Sequence, residues 1–531
     1  MRLAPGAYLT WPVERYPDRT CIVFEGQTFT YRETNRRVNR LANGLQRLGL
    51  KMGDIIASLH YNCNQAFESF AAKWKMGYTE APLNVRNAPP ENIYVINNSK
   101  ARALIFGGEY LDQVRAIRRE LPGVEFFICH SSPEHHEFID YDELLANSPE
   151  DEPYVELDDT QLTRIMYTSG TTGRQRGVSM SYRLRIEGFK NMFMNFDAYF
   201  DCNDILLTVA PLTHGAGLHL LPFYLKGAKL IIHPRFNPRR VLETIEQERV
   251  TVVLLAPTMI VMLMQDPEIY NHDYSSLRRI FYGMSPIPLG QLRKAISLFG
   301  PIFRQNYGLT EAHQPLATLH PWEHVQEGTP EQIKRLSSAG RRALGVEIWL
   351  ADPDGNPVPR GEVGEIVVRE DQAGWEYWGE PEESAAVFRN GWVYSGDLGR
   401  MDEDGYLYII GRTKDMIISG GYNVYPKEVE LVIDSYPGVK ESAIIGTPDT
   451  LWGEVVTAVI APERGENLTE EEILEACTKH LAGFKKPRKI FFVDELPKNP
   501  YGKVDKNKLR QMYGQPSDED TVDLQFINKK Q

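Results

Sequence analysis

Residues 167–177, YTSGTTGRQRG, concentrate small and hydroxyl-bearing side chains in one short stretch. Glycine lets the backbone curl until its N–H groups converge, and hydroxyls add further donors, so this composition suits a phosphate chain. The stretch is not the GxxxxGK[ST] loop of P-loop enzymes, because Gly170 and Gly173 are too close together and no Lys-Ser/Thr pair follows. A plain surface turn has a similar composition, so the rest of the chain must decide between the two interpretations.

Length and charge exclude several classes of protein. A chain of 531 residues exceeds the size at which one hydrophobic core keeps growing, so two or more domains are expected. The 59 basic and 72 acidic residues give a formal charge of −13, which disfavours a nucleic-acid partner and favours a small molecule.

Cysteine usage and hydropathy predict a cytoplasmic protein. The five cysteines are odd in number, widely spaced and without a CxxC pair, which is typical of reduced thiols. The start of the chain lacks an apolar signal segment, and the most apolar later run, VVLLAPTMIVMLM, is too short to span a bilayer and contains Pro257. We therefore expect no membrane span.

The elements that must position the loop show the rhythm of an α/β protein. From residue 20, short apolar runs alternate with helical stretches, as in βαβ units. One helix is well marked: Thr30 and Glu33 form a capping box, apolar residues recur at helical spacing, and Gly49 ends it. This pattern predicts layered α/β subdomains in a large N-terminal domain.

The pattern of predicted strands and helices changes twice towards the C-terminus. Near residue 340, shorter strands and turn residues predict a β-rich section of the same domain. After GRTKD the pattern restarts with a helix between strands, which predicts a small, mobile α+β domain. We place the boundary between residues 1–413 and 414–531.

Five segments match one protein family in order along the chain. They are YTSGTTGRQRG, APLTHGAG, NYGLTE, the run from YSGDLG to YPKEVE, and LPKNPYGKVDK. Together they resemble the adenylate-forming acyl-CoA synthetases, a family that also includes adenylation domains of peptide synthetases and beetle luciferases. The resemblance implies that an acid is joined to AMP from ATP and that a thiol, coenzyme A, then takes the acyl group.

The resemblance gives the opening loop a ligand, the β- and γ-phosphates of ATP. The implied contacts come from hydroxyl, glycine and arginine residues, with Thr171 among the catalytic ones: Thr168, Ser169, Gly170, Thr171, Thr172, Gly173 and Arg176. The family more often has lysine at Arg176 and proline at Gln175. We expect phosphate binding to survive this departure from the family pattern. The departure puts the reaction rate and the mobility of the loop in question.

Other segments supply the implied nucleotide and metal contacts. Glu311 resembles the carboxylate that positions Mg²⁺, which suits a hard cation shared with phosphate oxygens. Asp397 resembles the ribose ligand, since one carboxylate accepts from both sugar hydroxyls. The remaining implied contacts are Thr310 near the α-phosphate, Tyr307, Gly283 and Met284 along adenine, and Arg412 at the ribose or phosphate.

Lys503 resembles the adenylation lysine, whose ammonium balances charge that grows between the acid and the α-phosphate. Lys414 matches the hinge about which the small domain turns. After that rotation Gly420 and Gly421 would leave room for a pantetheine arm. Cations that resemble the contacts of the coenzyme A phosphates are Arg86, Lys486 and Arg488.

The implied acid pocket includes His214, a catalytic gate beside the carboxylate, and its neighbour Gly215. His313 and Gln314 fall where relatives line the pocket, and such polar groups suit an aromatic or small to medium, polar-substituted acid better than a long alkyl chain.

A second cluster, CHSSPEHHEF, gathers Cys129, His130, His135 and His136, but its spacing fits no standard zinc finger. We expect no zinc there.

The expected activity is that of an AMP-forming carboxylic acid–CoA ligase that uses ATP, Mg²⁺ and coenzyme A. Residues 504–531 are too few for a fused carrier domain, which favours coenzyme A as the acceptor. A free-standing carrier protein remains an alternative acceptor, a catalytically silent nucleotide-binding regulator is the rival class, and a homodimer is left open.

Overall fold

A computed structural model describes residues 5–132, 134, 136–168, 175–196, 200–213, 215–312, 315–371, 374, 376–420, 422–499 and 502–514. The first part of the chain alternates helices and strands: α1 (Ala7–Arg15), β1 (Thr20–Phe24), β2 (Gln27–Thr30), α2 (Tyr31–Arg47), β3 (Ile55–Leu59), α3 (Asn64–Met76), β4 (Thr79–Pro82), α4 (Pro89–Ser99), β5 (Ala103–Gly107), α5 (Leu111–Ile117), β6 (Phe126–His130), β7 (Ile139–Asp140) and α6 (Tyr141–Ala146).

The alternation continues through the middle of the chain: β8 (Leu162–Thr168), β9 (Arg176–Ser181), α7 (Tyr182–Asn195), β10 (Ile205–Thr208), α8 (Gly215–Leu225), β11 (Lys229–Ile232), α9 (Pro238–Gln247), β12 (Val252–Leu255), α10 (Pro257–Met264), β13 (Arg279–Gly283), α11 (Leu289–Phe299), β14 (Phe303–Tyr307), β15 (Ala317–Leu319), α12 (Pro330–Lys334) and β16 (Arg341–Arg342).

Short strands then dominate, with β17 (Glu347–Ala351), β18 (Val363–Arg369), α13 (Pro381–Val387), β19 (Phe388–Arg389), β20 (Trp392–Met401) and β21 (Leu407–Arg412). The last elements are β22 (Ile417–Ser419), β23 (Tyr422–Val424), α14 (Pro426–Asp434), β24 (Val439–Asp449), β25 (Gly453–Pro462), α15 (Glu470–His480), β26 (Lys489–Phe492) and α16 (Lys506–Tyr513).

Two largely parallel sheets form the body of the chain. One runs β7–β6–β5–β3–β4–β8–β9 and the other β16–β15–β14–β13–β12–β10–β11–β1–β2. Antiparallel strands close them at β9, at β2 and at β15 and β16. Parallel strands need crossover helices, which explains why helix and strand alternate in the sequence, and the predicted α/β class is confirmed.

Helix α2 shows how the local pattern becomes core. Thr30 and Glu33 form the predicted capping box, in which the amide of Thr30 donates to the Glu33 carboxylate over 2.8 Å. The apolar face buries Leu41, Ala42 and Leu45 completely. The helix is thus fixed at its start by hydrogen bonds and along its length by packing.

The β-rich section and the C-terminal elements form separate sheets. Strands β17, β18, β20 and β19 follow one another in an antiparallel sheet, and β21 pairs with β20. In the C-terminal sheet the order is β23–β22–β25–β24, with β26 parallel to β25. This arrangement matches the predicted large N-terminal and small α+β C-terminal parts. Within the described ranges, the helices are too short or too polar to cross a bilayer.

Candidate active site

The carboxyl ends of β13 and β14 lie side by side, which is where ligands bind in open α/β sheets. Gly283, at the end of β13, pairs with Asn306 of β14. A Cβ atom on Gly283 would lie 2.3 Å from the carbonyl oxygen of Asn306, so only glycine fits there. Met284 follows in the left-handed region, with φ of 68°, and its side chain is 38% exposed. Gly283 is buried at the end of β13, and the chain reaches the surface at Met284.

Asp397 is held between two strands and the end of a third. It pairs with Arg412 across β20 and β21, and Arg412 Nε lies 2.8 Å from Asp397 Oδ1. The hydroxyl of Tyr307, the last residue of β14, donates to Asp397 Oδ2 over 2.8 Å. Burial, and then the charge of Asp397, raise the pKa of the Tyr307 phenol well above its ordinary value, so Tyr307 stays a donor. Three residues predicted as nucleotide contacts are therefore in direct contact.

Glu311 lies just beyond β14, near this group. The hydroxyl of Tyr377 donates to Glu311 Oε1 over 2.8 Å, and the amide of Gly374 donates to the carbonyl of Glu311 over 2.8 Å. Tyr377 itself pairs with Val178 of β9, so it links Glu311 to the strand that follows the glycine-rich loop. Among the described residues, Glu311 Oε2 accepts no hydrogen bond, which leaves a carboxylate oxygen for a cation.

Arg176 starts β9 beside the same tyrosine. Its guanidinium carbon lies 5.6 Å from the centre of the Tyr377 ring, and Nη2 is 3.9 Å from Glu383 Oε1. The neighbouring Gln175 is buried, and its amide donates to Asn87 Oδ1 over 3.2 Å and to Glu91 Oε1 over 3.3 Å. The unusual Gln175 and Arg176 thus both have defined contacts at one end of the loop.

Thr168, at the end of β8, pairs with Arg176 across the loop, so the two ends of the glycine-rich segment are joined. Between them, Ser169, Gly170, Thr171, Thr172 and Gly173 lie outside the described residues, as do His214, His313, Gln314 and Gly421. Gly215 begins α8 and Thr310 precedes Glu311.

Lys503 comes from the C-terminal part and is close enough to Arg412, Asp397 and Glu311 for their charges to act on its ammonium. Its backbone closes a turn with Asn499, whose amide donates to the Lys503 carbonyl over 2.7 Å. The side chain is reachable by solvent, but surrounding protein lowers the pKa of its ammonium, Arg412 lowers it further, and Asp397 and Glu311 oppose this shift. The predicted lysine and the two predicted carboxylates therefore share one electrostatic site, although they are far apart in the sequence.

Comparison with known proteins identifies the family. The AMP-binding enzyme family matches residues 9–378, and the C-terminal domain of AMP-binding enzymes matches residues 428–503. The chain belongs to the adenylate-forming acyl-CoA synthetases.

Relatives of this synthetase match over nearly its whole length. A feruloyl-CoA synthase from Amycolatopsis sp is 38% identical, with 95% of this chain and 99% of the relative covered. The long-chain-fatty-acid–CoA ligase FadD13 of Mycobacterium tuberculosis is 34% identical, over 91% of this chain and 93% of the relative. The solved structure of the anthranilate CoA ligase AuaEII in complex with anthranoyl-AMP is 26% identical with a TM-score of 0.87, covering 96% of this chain and 97% of that one.

The predicted coenzyme A cations of the synthetase lie in two places. Arg86 is beside the turn of Lys503, since a Cβ on Gly502 would lie 3.5 Å from Arg86 Nη1. In the C-terminal part, the guanidinium carbon of Arg488 lies 4.3 Å from the Trp452 ring centre, and Lys486 Nζ is 3.4 Å from Thr478 Oγ1. Arg488 and Lys486 thus contact residues of the C-terminal part, whereas Arg86 contacts the turn that carries Lys503.

Gly420 also contacts Trp452. Its amide donates to the Trp452 carbonyl over 2.8 Å, and a Cβ on Gly420 would lie 2.4 Å from the indole ring. Its φ of 58° is in the left-handed region, so position 420 needs glycine for both conformation and space. Lys414 lies between β21 and β22 in the short 3₁₀ turn Thr413–Asp415, next to an Asp415–Arg510 ion pair of 2.8 Å.

The histidine and cysteine cluster near residue 130 differs from its sequence pattern. His130 lies near His60 and Cys63, and the candidate ligand atoms of these three described residues are within 4.8 Å of one another. Burial lowers the pKa of both imidazoles and raises the pKa of the Cys63 thiol, so all three are neutral, packed groups. His135 lies outside the described residues, and we assign no metal to this cluster.

The sequence analysis missed Tyr377. The segment AGWEYWGE around it belongs to none of the five family segments, and an aromatic residue in a short strand is usually core. Only its contact with Glu311 marks it as part of the site.

Proposed function

We propose that this synthetase is an AMP-forming aromatic acid–CoA ligase. It would convert an aromatic carboxylic acid, ATP and coenzyme A into the acyl-CoA, AMP and pyrophosphate. The observation that carries the proposal is the contact of Asp397 with Tyr307 and Arg412, three residues predicted to bind the nucleotide. The feruloyl-CoA synthase relative and the likeness to a ligase bound to anthranoyl-AMP support the aromatic class.

In the first half-reaction an oxygen of the acid's carboxylate attacks the α-phosphorus of ATP, and the bond to the β-phosphate oxygen breaks. Negative charge grows between the attacking and leaving oxygens, and the ammonium of Lys503 would stabilise it there. Arg176 and the donors of residues 168–173 would hold the departing pyrophosphate. Asp397, already oriented by Tyr307 and Arg412, would accept hydrogen bonds from the ribose.

Glu311 would hold Mg²⁺, because its Oε1 is fixed by Tyr377 and no described residue donates to Oε2. When bound, the cation neutralises charge on the phosphate oxygens. The chain's own contribution is to orient this carboxylate towards the phosphates with the Tyr377 hydroxyl and the Gly374 amide.

In the second half-reaction the sulfur of coenzyme A attacks the acyl carbon, and AMP leaves with the bridging oxygen. Lys503 is close enough to Asp397 and Glu311 for their charges to act on it, so we propose that residues 414–531 turn as a unit about Lys414 relative to residues 1–413 and move this lysine away. Gly420 and Gly421 would then approach the acyl carbon. Arg86, Lys486 and Arg488 are the proposed contacts for the phosphates of coenzyme A.

The proposed acid pocket includes His214, Gly215, His313 and Gln314. Polar groups in a pocket favour an acid with polar ring substituents, since an alkyl chain would leave them without partners. The FadD13 relative makes a long-chain fatty acid the second candidate class. An aromatic acid and a fatty acid would place different atoms against these side chains. A panel that contains both kinds of acid therefore distinguishes the two substrate classes.

The test is acid-dependent exchange of labelled pyrophosphate into ATP, measured with hydroxycinnamic, benzoic, indoleacetic and fatty acids. We expect the highest kcat/KM with a ring-substituted aromatic acid and loss of exchange in Lys503→Ala. Lys508→Ala is the matched control, because Lys508 is an exposed lysine five positions away on α16. Exchange without any acid, or wild-type exchange in Lys503→Ala, would overturn the proposal.

Direct detection of the thioester then identifies the acceptor. Acyl-CoA formed from free coenzyme A supports the ligase, and a product formed only on a carrier protein would contradict it.

A further inference from the structure

Four charged side chains that belong to none of the nucleotide contacts described above are buried near a cavity bordered by α8. They are Lys73 of α3, Glu80 of β4, Arg164 of β8 and Arg185 of α7, with exposed fractions of 1%, 9%, 5% and 1%. Three are cations and one is a carboxylate, so their formal charges leave a surplus of positive charge in the interior. Buried charges are costly unless they are paired, so this surplus calls for an explanation.

Glu80 compensates two of the cations. Lys73 Nζ lies 3.3 Å from Glu80 Oε1, and Arg164 Nε lies 3.6 Å from Glu80 Oε2. Burial opposes ionisation of Glu80, but Lys73, Arg164 and Arg185 together lower the pKa of its carboxyl to about 2. Glu80 is therefore fully ionised, and it supplies a single negative charge to three cations.

Arg185 is the least compensated of the three. Its guanidinium carbon lies 5.4 Å from the ring centres of Phe70 and Trp74 and 5.6 Å from that of Phe189. Aromatic faces attract a cation but carry no net charge. Burial, and then Arg164, lower the pKa of Arg185 to about 9, so it stays charged at neutral pH. Its Nε has no hydrogen-bond partner among the described residues.

A cavity of about 40 Å³ separates these groups. Arg164, Arg185 and Glu80 line it together with Ser58 and Thr213. Arg164 Nε, Arg185 Nε and Thr213 Oγ1 are buried without hydrogen-bond partners within the described part of the chain. Since a water-sized group needs only about 10–15 Å³, the cavity has room for a small ion.

We propose that this cavity binds one small monovalent anion, of halide or carboxylate size, between Arg164 and Arg185. The anion would supply one of the two missing negative charges and accept hydrogen bonds from the two Nε–H groups and the Thr213 hydroxyl. A dianion such as sulfate or phosphate loses more hydration energy on entering a buried site, so we expect the cavity to exclude it. The proposed site shares no residue with the nucleotide contacts described above.

The proposed anion has a structural connection to the acid pocket. Arg164 Nη2 donates to the carbonyl of Thr213 over 2.9 Å, and Thr213 immediately precedes His214. An anion that holds Arg164 in place would therefore fix the segment that leads into the proposed gate. This connection predicts that anion binding stabilises the folded synthetase.

The first experiment measures the thermal unfolding temperature of the full chain in gluconate buffer with added sodium chloride, sodium formate or sodium sulfate at equal ionic strength. We expect Tm to rise by about 1–2 °C for each tenfold rise in chloride or formate once the site is half filled, and not with sulfate. The stronger of the two responses shows whether the site prefers a free halide or a carboxylate. Equal responses to all three salts would overturn the proposal.

Two variants test whether the change in Tm arises at the proposed anion site. Arg185→Gln removes one cation and is expected to abolish the chloride and formate responses. Arg183→Gln is the matched control, because Arg183 is exposed on the same helix, and it is expected to keep them. An unchanged response in Arg185→Gln would refute the site.

A measurement on the unmodified protein covers the case in which Arg185→Gln fails to fold. Crystals soaked in sodium bromide are expected to show an anomalous-scattering peak between Arg164 and Arg185. Bromide peaks only elsewhere would overturn the proposal.

Discussion

The phenol oxygen of Tyr377 lies 2.8 Å from Oε1 of Glu311, although the two residues are 66 positions apart. The guanidinium carbon of Arg176 also lies 5.6 Å from the centre of the Tyr377 ring. One tyrosine therefore connects the proposed metal-binding carboxylate with the end of the phosphate-binding loop. Burial and Glu311 raise the pKa of this phenol, so it remains a hydrogen-bond donor at neutral pH.

Tyr377→Phe tests this connection. Loss of the hydroxyl would free the Glu311 carboxylate to rotate, and we expect kcat/KM for pyrophosphate exchange to fall about 10- to 100-fold, with a higher Mg²⁺ requirement. Tyr270→Phe, at a site that is 82% exposed, serves as the control. Wild-type magnesium dependence in Tyr377→Phe would show that the hydroxyl does not position Glu311.

The pH dependence of adenylation should report Lys503. The active form is the ammonium, and the pKa of Lys503 in the folded protein lies below its ordinary 10.5, so activity is lost at a lower pH than for a free lysine. Bound ATP adds negative charge and raises this pKa again. We therefore expect the alkaline limb of kcat/KM for ATP to lie below that of kcat, both measured by pyrophosphate exchange. Lys503→Arg, whose charge does not titrate, should lack the limb at a reduced rate.

Gly283→Ala tests the close approach of β13 to β14. The new methyl group would lie 2.3 Å from the Asn306 carbonyl oxygen, so the backbone would have to shift. We therefore expect the free energy of unfolding to fall by about 1–3 kcal/mol and ATP binding to weaken. In Gly290→Ala, on α11, a Cβ meets nothing within 4 Å. That variant should gain about 0.5 kcal/mol because alanine favours a helix. Urea unfolding and ATP titration measure both effects, and equal stability of the two variants would contradict the interpretation.

Lys414→Pro tests the proposed hinge. Residue 414 lies in a 3₁₀ turn. The φ of such a turn is about −60°, which is also the φ of proline, so the Lys414→Pro variant should still adopt the observed arrangement. Rotation about φ would be blocked, and we expect pyrophosphate exchange to persist while acyl-CoA formation falls at least about 10-fold. Lys414→Ala should keep both activities. Parallel loss of the two half-reactions in the proline variant would argue against a hinge at this position.

Asp434→Asn tests the cost of a buried carboxylate at the end of α14. Burial raises the pKa of Asp434 to about 6, although Lys427 and the Ser442 hydroxyl oppose the shift and Glu430 adds to it. A raised folded-state pKa favours the protonated acid, so this group's stabilising contribution is present at low pH and is lost as the pH rises through about 6.

The side-chain amide of asparagine is uncharged, so its burial lacks the free-energy cost of burying an ionised carboxylate. We expect Asp434→Asn to gain about 2 kcal/mol in the free energy of unfolding at about pH 8 and less as the pH falls below 6. Asp494→Asn, at an exposed position in the same part of the chain, should show no such gain. A pH-independent difference between Asp434→Asn and the wild type would contradict this assignment.

The sequence by itself determined the elements whose signals are local. The capping box of Thr30 and Glu33 predicted the start of α2, and the alternation of apolar runs predicted the parallel sheets, because helix caps and side-chain periodicity act over a few residues. Short segments also predicted the family, since the residues that the resemblance assigns to phosphates and ribose lie in short stretches of the chain.

The tertiary structure decided the contacts between distant segments. Tyr377 reaches Glu311, Arg488 packs on Trp452 beside Gly420, and Arg164 and Arg185 enclose a cavity with Glu80. Each of Tyr377, Trp452, Arg164, Arg185 and Glu80 resembles an ordinary core or surface residue in the sequence. Its role depends on which strands and helices pack together, and packing is a property of the whole chain that no local spacing encodes.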